Sequence, residues 1–208
     1  MTATLRHLLI QRAARLQGRP ALTTPEWGTL SWAAWRNRVE GVAMGLLATP
    51  LPMGTPVHTL DPGPWAWAAE VAGACCGLVW VKDGKVVPPS ILGGSDFNSE
   101  EGRGPYHDRE HELLPETPFT EGLTHQDLLV RLQAWNRRLG WDHDCTVTIA
   151  SDQTKTLEGR AALWCALYAG AHTQFSSPTP SKKGTWPWSP AKSAPTLDLD
   201  VFKSFYSE

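Results

Sequence analysis

The first 81 residues alternate between stretches with helical periodicity and short apolar runs, and this alternation restricts the possible folds most. Apolar residues spaced three and four apart predict helices over residues 4–17 and 64–76, with another that begins after Ser31. Apolar runs at residues 56–60 and 78–81 have the length of buried strands. We therefore predict an α/β fold with a layered, mostly parallel sheet and helices on both faces.

The same alternation returns in the second half of the chain. Thr124, followed three residues later by Asp127, is a capping-box pattern that predicts the start of a helix, and Gly140 predicts its end. The predicted buried stripe of this helix is Leu128, Leu129, Leu132, Trp135 and Leu139. The further predicted elements are a strand at 146–150, a helix at 157–168, a strand at 173–175 and a short helix at 199–206. We predict one domain over residues 1–208.

Two segments interrupt this regular pattern. Residues 88–122 hold many Gly and Pro residues and little periodicity, which predicts an irregular loop or linker. Residues 176–195 are rich in Pro, Ser and Trp and predict a surface segment. Just before the first of these segments, Asp83-Gly84 stands between two apolar runs, and this pair predicts an antiparallel β-hairpin.

Composition and charge exclude several classes of protein. The net charge is −2 at pH 7, so no overall positive field points to nucleic acid or anionic lipid. No apolar run approaches the roughly 20 residues of a membrane-spanning helix, and the N-terminus lacks the apolar centre of a secretion signal. This N-terminus is basic and amphipathic, as transit peptides also are, but its apolar stripe favours an ordinary first helix. We expect no nucleic-acid partner, no membrane span and a cytoplasmic location.

The cysteine pattern agrees with that expectation. Cys75, Cys76, Cys145 and Cys165 all lie in apolar stretches, and no pair has the spacing of a zinc site. A disulfide framework is typical of much shorter, secreted chains. We predict reduced thiols in the core of a cytosolic protein.

One short string matches a metal-binding pattern. His107, Glu110 and His111 form H-x-x-E-H, in which two histidines one helical turn apart share a zinc ion and the glutamate acts as a base. Pro105 and Pro115 bracket this string, and no apolar face predicts a helix there. A solvated charged loop is the favoured interpretation, and the metal site is the alternative hypothesis.

A second string has the composition of a docking surface. Lys182, Lys183, Trp186 and Trp188 combine positive charge, aromatic rings and prolines in the 176–195 segment. Such a string contacts a partner or a membrane surface in some proteins. The favoured alternative is a surface loop whose tryptophans fold back onto the domain.

Several of these segments, in their order, resemble the N-terminal region of the adenylate-forming (AMP-binding) enzymes, in particular the acyl-CoA synthetases. The similar segments are residues 12–48, 56–81, 122–140, 159–175 and 194–206. Among them GLTHQDLL, at the start of the 122–140 segment, is similar to the family's "LTHRNLL" helix. The resemblance implies the fold of a shortened acyl-CoA synthetase N-terminal subdomain.

The departures from the family pattern concern the nucleotide site. The resemblance implies a loop of small residues and one lysine before the LTH helix, because such loops bind phosphate through backbone N–H groups. The sequence has Glu116, Pro118, Phe119 and Glu121 there, and no lysine between residues 87 and 125. These residue types repel or obstruct a triphosphate.

Further family features are also missing. The segment 151–155 stands where the family has "PLSH", and the part between residue 81 and the LTH helix is much shorter than in the family. The sequence ends before the family's adenine- and ribose-binding motifs and its C-terminal domain with the catalytic lysine. We expect a truncated relative that lacks the ATP-binding motifs, requires no cofactor and has no adenylation activity.

These observations favour a catalytically inactive, acyl-CoA synthetase-like binding or protein-interaction module. The expected partners are an acyl group, a protein of fatty-acid or polyketide metabolism, or a second copy of the chain. The alternatives are a residual or divergent enzyme, either ligase-like or metal-dependent through H-x-x-E-H, and a decayed gene product. Intact apolar stripes argue against decay, because drift would have introduced charges into them.

Overall fold

A computed structural model of the chain describes residues 3–81, 84–87, 100–120, 122–176 and 197–207. Its α-helices are α1 (Leu5–Leu16), α2 (Trp32–Leu47), α3 (Pro64–Cys75), α4 (Glu100–Glu112), α5 (His125–Leu139) and α6 (Leu157–Ala169). Its strands are β1 (Pro20–Thr24), β2 (Gly28–Ser31), β3 (Pro56–His58), β4 (Val79–Trp80), β5 (Lys85–Val86), β6 (Pro118–Thr120), β7 (Leu123–Thr124), β8 (Thr146–Ala150) and β9 (His172–Ser176). One 3₁₀ helix, Ser151–Lys155, follows β8. A second, Leu199–Phe202, lies where the sequence predicts a short helix.

The largest sheet has the strand order β2-β1-β9-β8. Its β8 and β9 are parallel and joined through α6, and β9 is parallel to β1, while β2 is antiparallel to β1. The sequence predicts the hairpin of β1 and β2, because short strand-like runs at residues 21–23 and 28–30 flank Pro25-Glu26-Trp27. The α/β fold class with a mostly parallel sheet is therefore confirmed.

The second sheet corrects one prediction. Its order is β4-β3-β5, and both outer strands run parallel to β3, with Val57 in register with Trp80 on one side and Lys85 on the other. The antiparallel hairpin predicted at Asp83-Gly84 is wrong, because β3 lies between the two runs. Gly84 serves a close approach instead: a Cβ there would lie 2.8 Å from the backbone of Pro56.

Local capping chemistry fixes the ends of most helices. The Ser31 hydroxyl accepts a hydrogen bond from the Ala34 N–H, and Thr124 and Asp127 form the predicted capping box. Gly140, at φ 64°, ends α5 in the left-handed conformation that favours glycine. These predictions are confirmed.

Helix α4 lies inside the 88–122 segment, where the sequence predicts irregular structure. Non-local contacts hold it: the Arg6 guanidinium lies 4.0 Å from the centre of the Tyr106 ring and donates a 2.7 Å hydrogen bond to the Tyr106 carbonyl. A Cβ at Gly102 would lie 1.8 Å from the Met44 carbonyl oxygen, so glycine lets α4 approach α2 closely. Such contacts leave no periodic pattern in the sequence of the helix.

A contiguous hydrophobic core joins residues from α1, α2, α3, α5 and α6. Cys75, Cys76 and Cys165 are buried in it, Cys145 is half-buried, and all four are free thiols. Burial raises the pKa of the Cys75 thiol to about 12, so this thiol is inert. Across the described ranges, no helix is both long and apolar enough to cross a membrane.

The predicted docking string Lys182, Lys183, Trp186 and Trp188 lies outside the described residues, as does nearly all of the predicted surface segment 176–195.

Candidate functional site

The segment before α5, where the resemblance implies a phosphate loop, contains a two-stranded hairpin. Strands β6 and β7 pair antiparallel, and Gly122 occupies the turn with a φ of 75°. The side chain of Phe119 points into the protein and has no exposed surface. The Thr120 hydroxyl donates a 2.6 Å hydrogen bond to the Trp80 carbonyl, which ties the hairpin to β4.

The backbone N–H groups that begin α5 are already bonded to oxygen atoms of the chain. The His125 N–H donates to the Thr117 carbonyl at 3.0 Å, and the Gln126 N–H donates to the Pro115 carbonyl at 2.9 Å. The Asp127 N–H donates to the Thr124 hydroxyl oxygen at 3.2 Å. A helix N-terminus binds phosphate through these same donors, so here they are occupied.

A carboxylate adds negative charge at this helix end. Hydrogen bonds from the Thr124 hydroxyl, and then from its backbone N–H, lower the pKa of Asp127 below its ordinary value. Asp127 is therefore ionised at neutral pH. The exposed Glu116 lies on the same connection, so two carboxylates bring negative charge to this helix end.

Aromatic rings fill the space beneath the hairpin. The Phe119 and Trp164 rings meet edge to face, with centroids 5.2 Å apart, and Trp164 meets Trp67 in the same way at 5.1 Å. Trp164 has no exposed surface and Trp67 is 3% exposed. The position that the family leaves open to phosphate is here part of the packed core.

A buried ion pair lies next to this aromatic cluster. Arg160 of α6 donates hydrogen bonds of 2.8 and 3.0 Å to the two carboxylate oxygens of Glu70 on α3, and the Trp164 indole donates a third, of 2.7 Å. Burial alone would lower the pKa of Arg160, but the Glu70 charge and hydrogen bonds hold it above its ordinary value. This ion pair joins α3 to α6, and both of its charged groups have their partners within the protein.

The segment that stands in place of PLSH is a 3₁₀ helix, Ser151–Lys155. The Thr154 hydroxyl accepts a 2.7 Å hydrogen bond from the Gly63 N–H and donates to the Ser151 carbonyl. Thr154 thereby holds the start of α3 against the end of β8.

The H-x-x-E-H residues lie on α4, which corrects the prediction that they lie in a loop. The Glu110 carboxylate accepts a 3.2 Å hydrogen bond from the Arg6 guanidinium, and the side chains of His107 and His111 are exposed. His107 and Glu110 line a cavity of about 240 Å³ between α1, α2 and α4. Among the residues that the structure describes, no group of three or more His, Cys, Asp or Glu is arranged to hold a metal ion.

A larger depression, the α1/α5 groove, lies on the opposite side of α1 and has a volume of about 520 Å³. We define it by Leu8, Arg12, Arg15, Leu129, Val130 and Gln133. The sequence predicts Leu129 as part of a buried stripe, but Leu129 is half-buried and lines this groove. Helical periodicity identifies the apolar face of α5 and gives no signal for where that face leaves the core.

Comparison with known proteins identifies the fold. No protein-family profile matches the sequence, and no curated protein matches it significantly. Solved structures do match, and the N-terminal subdomain of NpsA from Klebsiella oxytoca, in complex with 3-hydroxyanthranilyl-AMSN, has a TM-score of 0.66 and 15% identity. That match covers 88% of this chain and 55% of the NpsA chain.

Two further structures give the same result. The inhibitor-bound N-terminal domain of FACL13 from Mycobacterium tuberculosis has a TM-score of 0.64 and 13% identity, over 86% of this chain and 58% of that one. VinN has a TM-score of 0.64 and 12% identity, over 85% of this chain and 59% of VinN. The chain thus spans less than two thirds of the length of each of these structures. It has the fold of the N-terminal subdomains of adenylate-forming enzymes, as its sequence resemblance predicts.

Proposed function

We propose that this chain has the fold of an adenylate-forming enzyme without the adenylation reaction, and that it acts as a binding or protein-interaction module. The observation that carries the proposal is the set of occupied N–H donors at the start of α5. Phosphoryl and nucleotidyl transfer depend on positioned donors and on neutralised charge. Donors that already bind the Pro115 and Thr117 carbonyls and the Thr124 hydroxyl cannot supply either.

Two features at the same position support this proposal. Phe119 is packed against Trp164, so its backbone cannot move towards a ligand without opening the core. Glu116 and Asp127 bring negative charge to the place where a triphosphate would lie.

ATP–pyrophosphate exchange tests the absence of adenylation. The full chain is assayed with MgATP and a panel of fatty acids, aryl acids and amino acids, beside an active adenylating enzyme as the positive control. We expect no exchange above the blank that lacks protein. Exchange that depends on one of the acids would refute the proposal.

The bound species is proposed to be an acyl group, a protein of fatty-acid or polyketide metabolism, or a second copy of the chain. Native mass spectrometry of the purified protein separates these options, because an acyl ligand adds a few hundred daltons and a second copy doubles the 22.9 kDa mass. Light scattering gives the oligomeric state in solution independently.

A divergent, metal-dependent enzyme is the second candidate function. The observation that favours it is α4, on which His107 and His111 lie one turn apart. The ion pair between Glu110 and Arg6 argues against a free base. Elemental analysis of protein purified without a histidine tag is the test: we expect less than stoichiometric zinc, and one zinc per chain that is lost in His111→Ala would favour the enzyme.

A further inference from the structure

The α1/α5 groove has cationic and apolar walls. The half-buried Leu129 forms apolar surface above Leu8, which is 6% exposed at the floor, and Arg12 and Arg15 bring two positive charges. Among the described residues that line the groove, none is Asp or Glu. Val130 projects from α5 with 58% of its surface exposed. Apolar surface with charge of one sign at its edge is typical of a docking site.

The Arg12 guanidinium is held at the groove by the protein and still lacks a charge partner. It donates to the Tyr168 carbonyl and lies 5.6 Å from the centre of the Tyr168 ring. Its Nε is buried and has no hydrogen-bond partner. In the part of the chain that the structure describes, neither Arg12 nor Arg15 forms an ion pair.

This environment makes an anion favourable at the groove. Burial of the guanidinium lowers the pKa of Arg12, and the neighbouring Arg15 charge acts in the same direction. A carboxylate near these two side chains would offset the repulsion between their positive charges.

The shape of the groove favours a helix over a small molecule. Its lining on α1 recurs at Leu8, Arg12 and Arg15, and its lining on α5 recurs at Gln126, Leu129 and Gln133. These spacings follow one face of each helix for about 10 Å, at roughly 1.5 Å per residue. Small-molecule pockets enclose most of their ligand, whereas several rim residues here are exposed to solvent.

We propose that the α1/α5 groove binds an amphipathic helix of a partner protein. The apolar face of that helix packs on Leu8, Leu129 and Val130, and its Asp or Glu residues face Arg12 and Arg15. This is the helix-in-groove mode, with anchors at i, i+3 or i+4, and i+7. The inference rests on the proposed role as an interaction module and names the partner class and the surface.

Charge disfavours the undescribed parts of the chain as occupants. Residues 177–196 contain three lysines and no carboxylate, so Arg12 and Arg15 repel them. Residues 88–99 contain one carboxylate, Asp96. An acidic helix from another protein satisfies both arginines.

Site-specific photo-crosslinking tests the proposal on the full chain in the cells that naturally produce it. A photoreactive phenylalanine analogue replaces Val130 in the groove or, as the matched control, Leu157, which is 54% exposed on α6 and lies outside the groove. Adducts are digested and mapped by mass spectrometry. We expect adducts from position 130 alone, on an amphipathic helical segment rich in Asp and Glu.

Charge reversal then tests the electrostatic part. Arg15 is exposed, so Arg15→Glu should fold normally, which circular dichroism checks, and we expect it to reduce the adduct yield about tenfold. Replacing the facing partner carboxylate by lysine should restore the yield with Arg15→Glu.

Four results would overturn the inference: no adduct above the position-157 control, adducts on a basic segment or a lipid, adducts on a second copy, or adducts on residues 88–99 or 177–196. Pyrophosphate exchange on the same preparation reports the proposed function separately. A preparation without exchange and without adducts refutes the groove alone, whereas acid-dependent exchange refutes the proposed function whatever the crosslinks show.

Discussion

Phe119→Ala is the substitution that most directly tests whether the phosphate-loop position has become core. Phe119 has no exposed surface and meets Trp164 edge to face at 5.2 Å. Truncating a fully buried phenylalanine destabilises a protein by about 3–5 kcal/mol, because transfer free energy and packing are lost together. The lost aromatic pair contributes about 0.5–1.5 kcal/mol beyond area burial, so we expect a value in the upper part of that range.

Urea unfolding followed by tryptophan fluorescence gives the free energy of unfolding, and calorimetry gives the Tm. For a chain of this length, about 3–5 kcal/mol corresponds to a Tm lowered by roughly 6–20 °C. Phe119→Leu, with an expected loss of about 1–2 kcal/mol, serves as a milder variant should the alanine variant fail to fold. Leu114→Ala is the matched control, because Leu114 is 57% exposed a few residues earlier and should cost at most about 0.5 kcal/mol. A Phe119→Ala loss as small as that of Leu114→Ala would refute the packed hairpin and reopen the case for a ligand there.

Three further perturbations test other parts of the structure. Burial lowers the pKa of His125 to about 4 from an ordinary 6.5, so the folded state resists protonation. The free energy of unfolding should therefore fall by about 3 kcal/mol as the pH drops from 6.5 to about 4. Urea unfolding at several pH values should show a smaller fall in His125→Gln, and equal falls would refute the assignment. Arg160→Met leaves the Glu70 carboxylate buried without a charge partner and should lower the free energy of unfolding by about 3–5 kcal/mol. Adding Glu70→Leu to the same protein should restore most of this loss. A loss below about 1 kcal/mol in Arg160→Met would contradict the buried pair. Gly170→Ala should lower the Tm more than Gly140→Ala. Both glycines have a positive φ, but only at Gly170 would the new Cβ lie 2.7 Å from a leucine methyl group. Equal Tm shifts in the two variants would contradict the close contact.

The elements that the sequence predicts well are those with local chemistry at their ends. Helix α5 has a capping box at Thr124 and a left-handed glycine at Gly140, so both of its ends follow from a few neighbouring residues. Helix α4 has no such signal, because Gly102 against α2 and Tyr106 against Arg6 hold it through distant residues. The Asp83-Gly84 hairpin fails for a related reason, since pairing with β3 on both sides replaces local pairing.

The hairpin before α5 and the α1/α5 groove also differ in how far the sequence predicts them. Residue types alone predict that the phosphate-loop position is unsuited to phosphate, because Phe119 and Glu116 are incompatible with a phosphate loop. The α1/α5 groove was not predicted, because a helical stripe indicates an apolar face without indicating which neighbour covers it. Arg12 contributes to the groove only because α6 brings Tyr168 beside it.

The start of α5 shows why a helix N-terminus that resembles the LTH helix does not by itself imply a phosphate site. Capping and phosphate binding use the same N–H donors, so a donor that is bonded to an oxygen atom of the chain is not free for a phosphate oxygen. To admit a phosphate at these donors, the bonds from His125 and Gln126 to the hairpin carbonyls must break, at about 0.5–1.5 kcal/mol each. In the structure the hairpin carbonyls, and not a ligand, are the acceptors of these two donors.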